Sequence, residues 1–205
     1  MMIGALTCPF GTGHMGVTAE NVANELQISR KEQDYFAAES QRKALEAIEA
    51  GRFKEQIIPV EIKKRTEIIT FSQDEHPKKT DLDTLSNLPA VFQKGGTVTA
   101  GNSSGINDGA AALVLGTGDA IANRKLNPVA KILGYAQTGV RPEVMGIGPI
   151  SAVQKLCKNL NIDISNFDVI ESNEAFAAQA CAVTKKLNLD PKKVNQNGGA
   201  IALGH

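Results

Sequence analysis

Residues 167–183, FDVIESNEAFAAQACAV, decide how the rest of the chain is read. Phe167, Val169 and Ile170 form a short apolar run with β-branched residues, the pattern of a buried strand. Four polar residues follow, Glu171, Ser172, Asn173 and Glu174. The alanine-rich run over 175–187 then has high helix propensity and carries Lys185 and Lys186 near its end. A strand feeding a helix through a polar turn puts that turn at the carboxyl edge of a sheet, where open α/β folds bind their ligands. The plainer alternative is that Ser172 or Asn173 caps the helix and Glu174 complements its dipole.

A second stretch, residues 195–205, reads NQNGGAIALGH. Paired glycines permit close backbone approach, and the small apolar run after them delivers one histidine to a turn. The chain of 205 residues is 42% hydrophobic, enough for one sizeable core or two small ones. Its 22 basic and 22 acidic residues balance, which gives no reason to expect nucleic acid or an anionic membrane as the main partner. No run of 18 apolar residues occurs, and the N-terminus lacks the basic start and long apolar core of a signal peptide. Cys8, Cys157 and Cys181 are widely spaced, odd in number and without metal-ligand spacing, so they are expected to be reduced thiols of a cytoplasmic protein with no metal site.

Gly11, Gly13 and Gly16 spell a literal GxGxxG. A dinucleotide loop follows a strand and opens a helix inside a βαβ unit. Here Cys8-Pro9-Phe10 breaks the preceding run, and Glu32, at about the spacing of the ribose-binding acid, lies in a charged helical stretch. The motif is rejected. A short helix is expected from Thr18 and Glu20 to about Leu26. A long one follows over 30–50, opened by a Ser29/Glu32 capping box and closed by Gly51, with Tyr35, Phe36, Ala38, Leu45 and Ile48 on its apolar face. Residues 57–63 and 68–71 read as strands, suited to a hairpin around Lys63, Lys64 and Arg65; that basic run fits a solvated turn or a phosphate contact. Residues 72–90 read as a polar loop with one helical piece near 81–88.

From Gly95 the composition shifts to small residues. The expected order is a strand at 97–99, a tight loop at 101–109, a buried strand at 110–115, a helix near 119–126 and a long strand at 129–137. Pro149 then opens a helix to about Leu160, and Val194 with Asn195 makes a last short strand. This alternation argues for an α/β fold, with the first 90 or so residues as a separate helix-rich insertion.

NEAFAAQA and NGGAIALGH together resemble thiolases, the coenzyme A-dependent enzymes that make or cleave 3-ketoacyl thioesters. The resemblance extends in order through HMGVTAENVA (14–23), GTVTAGNSSGINDGAAALVL (96–115) and VMGIGPISAVQK (144–155), so it covers essentially the whole chain. It implies a partial thiolase-like α/β fold. Residues 1–94 would be the loop domain that covers coenzyme A, 95–127 the last part of the N-terminal half, and 128–205 the first part of the C-terminal half. By the resemblance, Asn173 would hold a water facing the thioester oxygen. His205 would donate to that oxygen and help activate the nucleophilic thiol, tasks that suit an amide and an imidazole. Ser104 resembles the hydroxyl that contacts the pantetheine arm, or it is a loop-stabilising serine. His14 and Met15 resemble residues bordering the thioester in short-chain thiolases, although a histidine in a glycine-rich segment can be a surface residue. Met145 resembles an acyl-pocket residue, and Phe176 resembles its wall or packs in the core.

The family uses two cysteines, one carrying the acyl group and one moving a proton. The first lies upstream of the loop domain and the second in a CxGGG-type segment near the C-terminus, so neither is expected here. Cys8, Cys157 and Cys181 lie in no catalytic motif. The resemblance therefore implies an acetyl-CoA C-acetyltransferase working by Claisen condensation or thiolysis through an acyl-cysteine. The complete enzyme would act on acetyl-CoA or acetoacetyl-CoA without a covalently bound cofactor, whereas this chain alone is expected to be inactive and to form homo-oligomers. Two alternatives stand beside it: a truncated, non-catalytic coenzyme A-binding remnant, and a degradative 3-ketoacyl-CoA thiolase.

Overall fold

The alanine-rich run folds as the helix Ala177–Lys186 in the computed structural model, which describes residues 2–205. In chain order the elements are α1 (Met2–Leu6), β1 (Thr7–Cys8), β2 (Gly13–His14), α2 (Met15–Glu25), α3 (Arg30–Glu49), β3 (Val60–Lys63), β4 (Ile68–Phe71) and α4 (Leu82–Ser86). Then come α5 (Gly118–Arg124), a 3-10 turn (Pro142–Ile147), α6 (Gly148–Leu160), a second 3-10 turn (Ile164–Asn166), α7 (Ala177–Lys186) and α8 (Ala200–Leu203).

Helix α7 is the hub because its side chains are small. Every residue from Ala177 to Val183 is buried, so α2 and α3 both pack closely against its backbone. On one side Ala178, Cys181 and Ala182 meet Ala19, Val22 and Ala23 of α2, with Ile28, Val98 and Val144. On another, Ala177 joins Ala37 of α3, Leu85 of α4 and Ile201 of α8. At its far end Val183, Leu187, Leu189 and Val194 form a third cluster, against which Ile150 and Val153 of α6 pack.

Buried polar groups fix the loop that follows Gly96. Glu20, 1% exposed, accepts from the backbone N–H of Thr97 and Val98 at 2.8 Å each and from the Thr97 hydroxyl at 3.0 Å. The Asn102 amide accepts from Thr99 N at 2.8 Å and donates to Asp34 at 2.9 Å, and Asp34 is paired with Arg30. Residues 97–104 are thereby tied to α2 and α3.

Local signals predict the longer helices, whereas the short helices α1 and α8 are not expected from them. The Ser29/Glu32 capping box forms, and Pro149 lies in the first turn of α6. Helix α2 begins three residues before Thr18, because the His14 ring caps it, Nδ1 accepting from Gly16 N at 3.0 Å. The glycine-rich start is a two-stranded turn, β1 against β2, with positive φ at Gly11 and Gly13. Strands β3 and β4 form the antiparallel hairpin, although β3 starts only at Val60. The helix-cap reading of the central turn is corrected: α7 starts at Ala177 with Phe176 as its N-cap and no side-chain cap, and Glu174 is buried, not at the helix entrance.

The remaining expected strands are also corrected. Residues 97–99 keep one bridge, Ala90 with Thr99, while 167–170 and 194–195 keep one parallel bridge, Ile170 with Val194. Residues 110–115 and 129–137 form no strand, and Val114 and Leu113 are 100% and 90% exposed. A strand is stabilised by its neighbours, and among the described residues none lies beside these apolar runs. Among the described residues, no helix is long and apolar enough to cross a membrane, and no group of three His, Cys, Asp or Glu is arranged to hold a metal ion.

Candidate active site

The fold brings Asn173, Ser104 and His205 together. Asn173 Nδ2 lies 3.5 Å from His205 Nε2, and Ser104 Oγ lies 3.3 Å from His205 Nδ1. Ser104 also holds Ala175 O, with Oγ at 3.0 Å and N at 3.1 Å. The Ala175 carbonyl can only accept, so the serine proton points there and its oxygen is free to receive the Nδ1 proton. With the Asn173 amide nitrogen facing Nε2 from the other side, the hydrogen-bond pattern assigns the ring hydrogen to Nδ1 and a lone pair to Nε2. Asn173 and His205 are both exposed, so the pair faces solvent.

Phe176 connects this group to a second one. Ser103 bridges to Phe176, and Phe176 meets Phe92 edge to face at 6.0 Å. Phe92 stacks on His14 at 4.8 Å with 21° between the rings. Since His14 Nδ1 accepts from Gly16, its Nε2 carries the hydrogen; that N–H is buried and has no hydrogen-bond partner among the described residues. Met15 opens α2 beside His14, and Met145 lies in the 3-10 turn that packs on α2 and α7; both are half-buried. Phe92 has no chemical signature in the sequence, and only the two aromatic contacts reveal it.

His205 is held by contacts from several directions. Its own N donates to Gly105 O at 3.1 Å. His76, in the polar loop before α4, donates from Nδ1 to Ala202 O at 3.0 Å, and its ring fills the space a Gly105 side chain would occupy. Burial lowers the His76 pKa below its ordinary 6.5, with Lys78 adding to the effect, so the neutral ring is favoured. On the other side Glu174 accepts from Ser40 Oγ at 2.6 Å, Asn195 Nδ2 at 2.7 Å and Ile201 N at 3.2 Å. Sequence reasoning missed both His76 and the depth of Glu174, because their partners lie far along the chain.

Among the described residues, no cysteine sulfur is hydrogen-bonded to Asn173, Ser104 or His205. The Cys181 thiol donates to Glu32 O at 3.8 Å, and burial pushes its pKa up to about 12. Cys157 is half-buried on α6. Cys8 is buried in β1, with the neighbouring Thr12 lowering its pKa. A groove of 1010 Å³ runs between α3 and the end of α7 and reaches Ser40, Glu174 and Asn195 from behind. Asn173, Ser104 and His205 do not line it. Lys63, Lys64 and Arg65 are exposed at the tip of the β3–β4 hairpin.

An amide donor and an imidazole on one open surface can receive a carbonyl oxygen, polarise it and exchange a proton with an incoming thiol. Comparison with known proteins bears on the family and the fold. Residues 1–119 match the family description thiolase, N-terminal domain, and residues 126–205 match thiolase, C-terminal domain. The beta-ketothiolase BktB of Cupriavidus necator is 53% identical over 207 aligned residues, covering 100% of this chain and 52% of that protein. The crystal structure of Bacillus anthracis acetyl-CoA acetyltransferase superposes with TM-score 0.95 at 46% identity, covering 98% of this chain and 51% of its own. Human mitochondrial 3-ketoacyl-CoA thiolase, solved in complex with CoA, superposes with TM-score 0.92 at 44% identity over 98% of this chain and 50% of its own. The chain spans about half the length of the curated relatives it matches.

Proposed function

The chain belongs to the thiolase family, and from that premise we propose that it carries the thioester-holding part of an acetyl-CoA C-acetyltransferase. Its fold is thiolase-like and partial. The substrate in this reading is a coenzyme A thioester, acetyl-CoA or acetoacetyl-CoA, with no covalent cofactor. One observation carries the reading: Asn173 and Ser104 converge on opposite nitrogens of His205 and fix its tautomer.

The chemistry follows from that tautomer. In the whole enzyme Nε2 takes the proton of the nucleophilic cysteine thiol as its sulfur adds to the thioester carbonyl. The resulting N–H faces the oxygen as negative charge develops on it, and collapse expels the coenzyme A thiolate to leave an acyl-cysteine. Asn173 supplies a second donor, directly or through a water. Ser104 lies against the pantetheine arm, while His14, Met15, Met145 and Phe176 border the acyl group; the free Nε2–H of His14 supports a polar contact there. The HMG and VMG segments support a short acyl chain.

The three thiols make no hydrogen bond to the His205 group, so the 205-residue chain binds its ligand without turning it over. Deleting a nucleophile lowers turnover by roughly six orders of magnitude, which oxyanion donors cannot restore. The test is acetoacetyl-CoA thiolysis by the purified chain, with coenzyme A binding measured by calorimetry. Expected are no thiolysis above that of His205→Ala, and binding that Ser104→Ala weakens. Sustained turnover abolished by a Ser substitution at Cys8, Cys157 or Cys181 would overturn the inactivity, and absence of binding would overturn the site.

A further inference from the structure

Glu174 is 1% exposed and forms no ion pair among the described residues. A carboxylate buried without a cation persists only where other donors replace its water. Three do so here, and each leads to one side of the site. Oε1 accepts from Asn195 Nδ2, and the same Asn195 amide clasps the Ser172 peptide, accepting from its N and donating to its O at 2.8 Å each. Ser172 is the residue before Asn173.

Oε2 leads to His205. It accepts from Ile201 N, in the first turn of α8, and from Ser40 Oγ, which itself receives Gly199 N at 3.1 Å. Gly199 is the N-cap of α8 and has no side chain to cap it with, so Glu174 and Ser40 do so from elsewhere in the chain. A helix of four residues does not hold itself together, and its start is fixed by these contacts. Gly204 and His205 follow directly from α8.

We infer that Glu174 is a positioning residue whose carboxylate ties the Asn173 turn to the α8–His205 segment and so sets the distance between the two groups. Its effect on ligand binding rests on the thioester reading of the site. Glu174→Gln keeps the shape but turns one acceptor oxygen into a donor that faces N–H or O–H groups. Ser40→Ala removes a single donor and disturbs the packing least.

The full chain, labelled with ¹⁵N at histidine and assigned with His205→Ala, reports the His205 ring separately from His14 and His76. Calorimetry with coenzyme A and with acetyl-CoA runs beside it. In Glu174→Gln the His205 ring signals move toward those of a free imidazole and acetyl-CoA affinity falls about tenfold, at the low end of what supporting partners cost. Coenzyme A affinity stays unchanged, because the thioester oxygen is absent from it. Ser40→Ala gives the same signal change at smaller amplitude and decides the matter if Glu174→Gln does not fold. Unmoved His205 signals in folded Glu174→Gln, or in Ser40→Ala, overturn the inference. Wild-type chain that binds neither ligand, with His205 signals that still move in the variants, counts against the thioester reading and supports the positioning role.

Discussion

Gly199 has almost no room around it. A Cβ there would lie 2.3 Å from Glu174 Cδ and 2.6 Å from Asn195 Nδ2, so a side chain must push the buried carboxylate off its donors. Gly199→Ala is expected to destabilise the chain by about 1–3 kcal/mol, the usual cost of overpacking, read as a lower thermal midpoint. An unchanged midpoint would mean that the carboxylate can move aside freely. At this scale the sequence was legible where chemistry is written in residue type. Asn173, Ser104 and His205 stand out in their motifs, and the fold brings them into contact. The plainer alternative fails for Glu174 because a glutamate ahead of an alanine-rich run satisfies a local rule, whereas its partner Ser40 lies 134 residues away. His76 gave no signal either, since its bond to Ala202 spans 126 residues. Contacts over such separations leave no pattern in a single sequence.

Helix α3 shows what is legible at the scale of elements. Its start depends on residues three apart, Ser29 and Glu32, and that box forms as read. Ser29→Ala should lower stability by about 1 kcal/mol, the typical value of an N-cap. Glu32 also reaches across to Lys185 of α7. Hydrogen bonds from Lys185 and then Ser29 hold its pKa at about 2, well below the ordinary 4.5. The sign follows: this stabilisation is fully present above pH 4.5 and is lost as pH falls through about 2. Thermal midpoints measured across that window should fall less steeply in Glu32→Gln than in the wild type. Equal slopes would mean that the Glu32 contacts contribute nothing. Strands were less legible than helices for a physical reason. An apolar run at 110–115 or 129–137 announces a strand, but only a neighbouring strand makes it one.

Over the whole molecule, those runs leave Leu113, Val114, Val129, Ile132 and Tyr135 exposed. Surfaces of this kind, beside unpaired backbone, favour association. The chain is expected to self-associate through them, giving a mass above 21.7 kDa by light scattering that falls in a Leu113→Lys, Val129→Lys double variant. A stable monomer would contradict this. The packing that surrounds α7 is independent of those runs and is what brings the two halves of the site together. In the proposed function Asn173 and His205 hold a thioester oxygen, and a carbonyl-labelled ligand reports on that oxygen directly. The carbonyl ¹³C resonance of acetyl-CoA bound to the purified chain is predicted to move downfield from its free position, and to return toward it in Asn173→Ala and His205→Ala. A bound acetyl-CoA whose carbonyl resonance stays at the free position, or moves equally in all three proteins, would contradict the account.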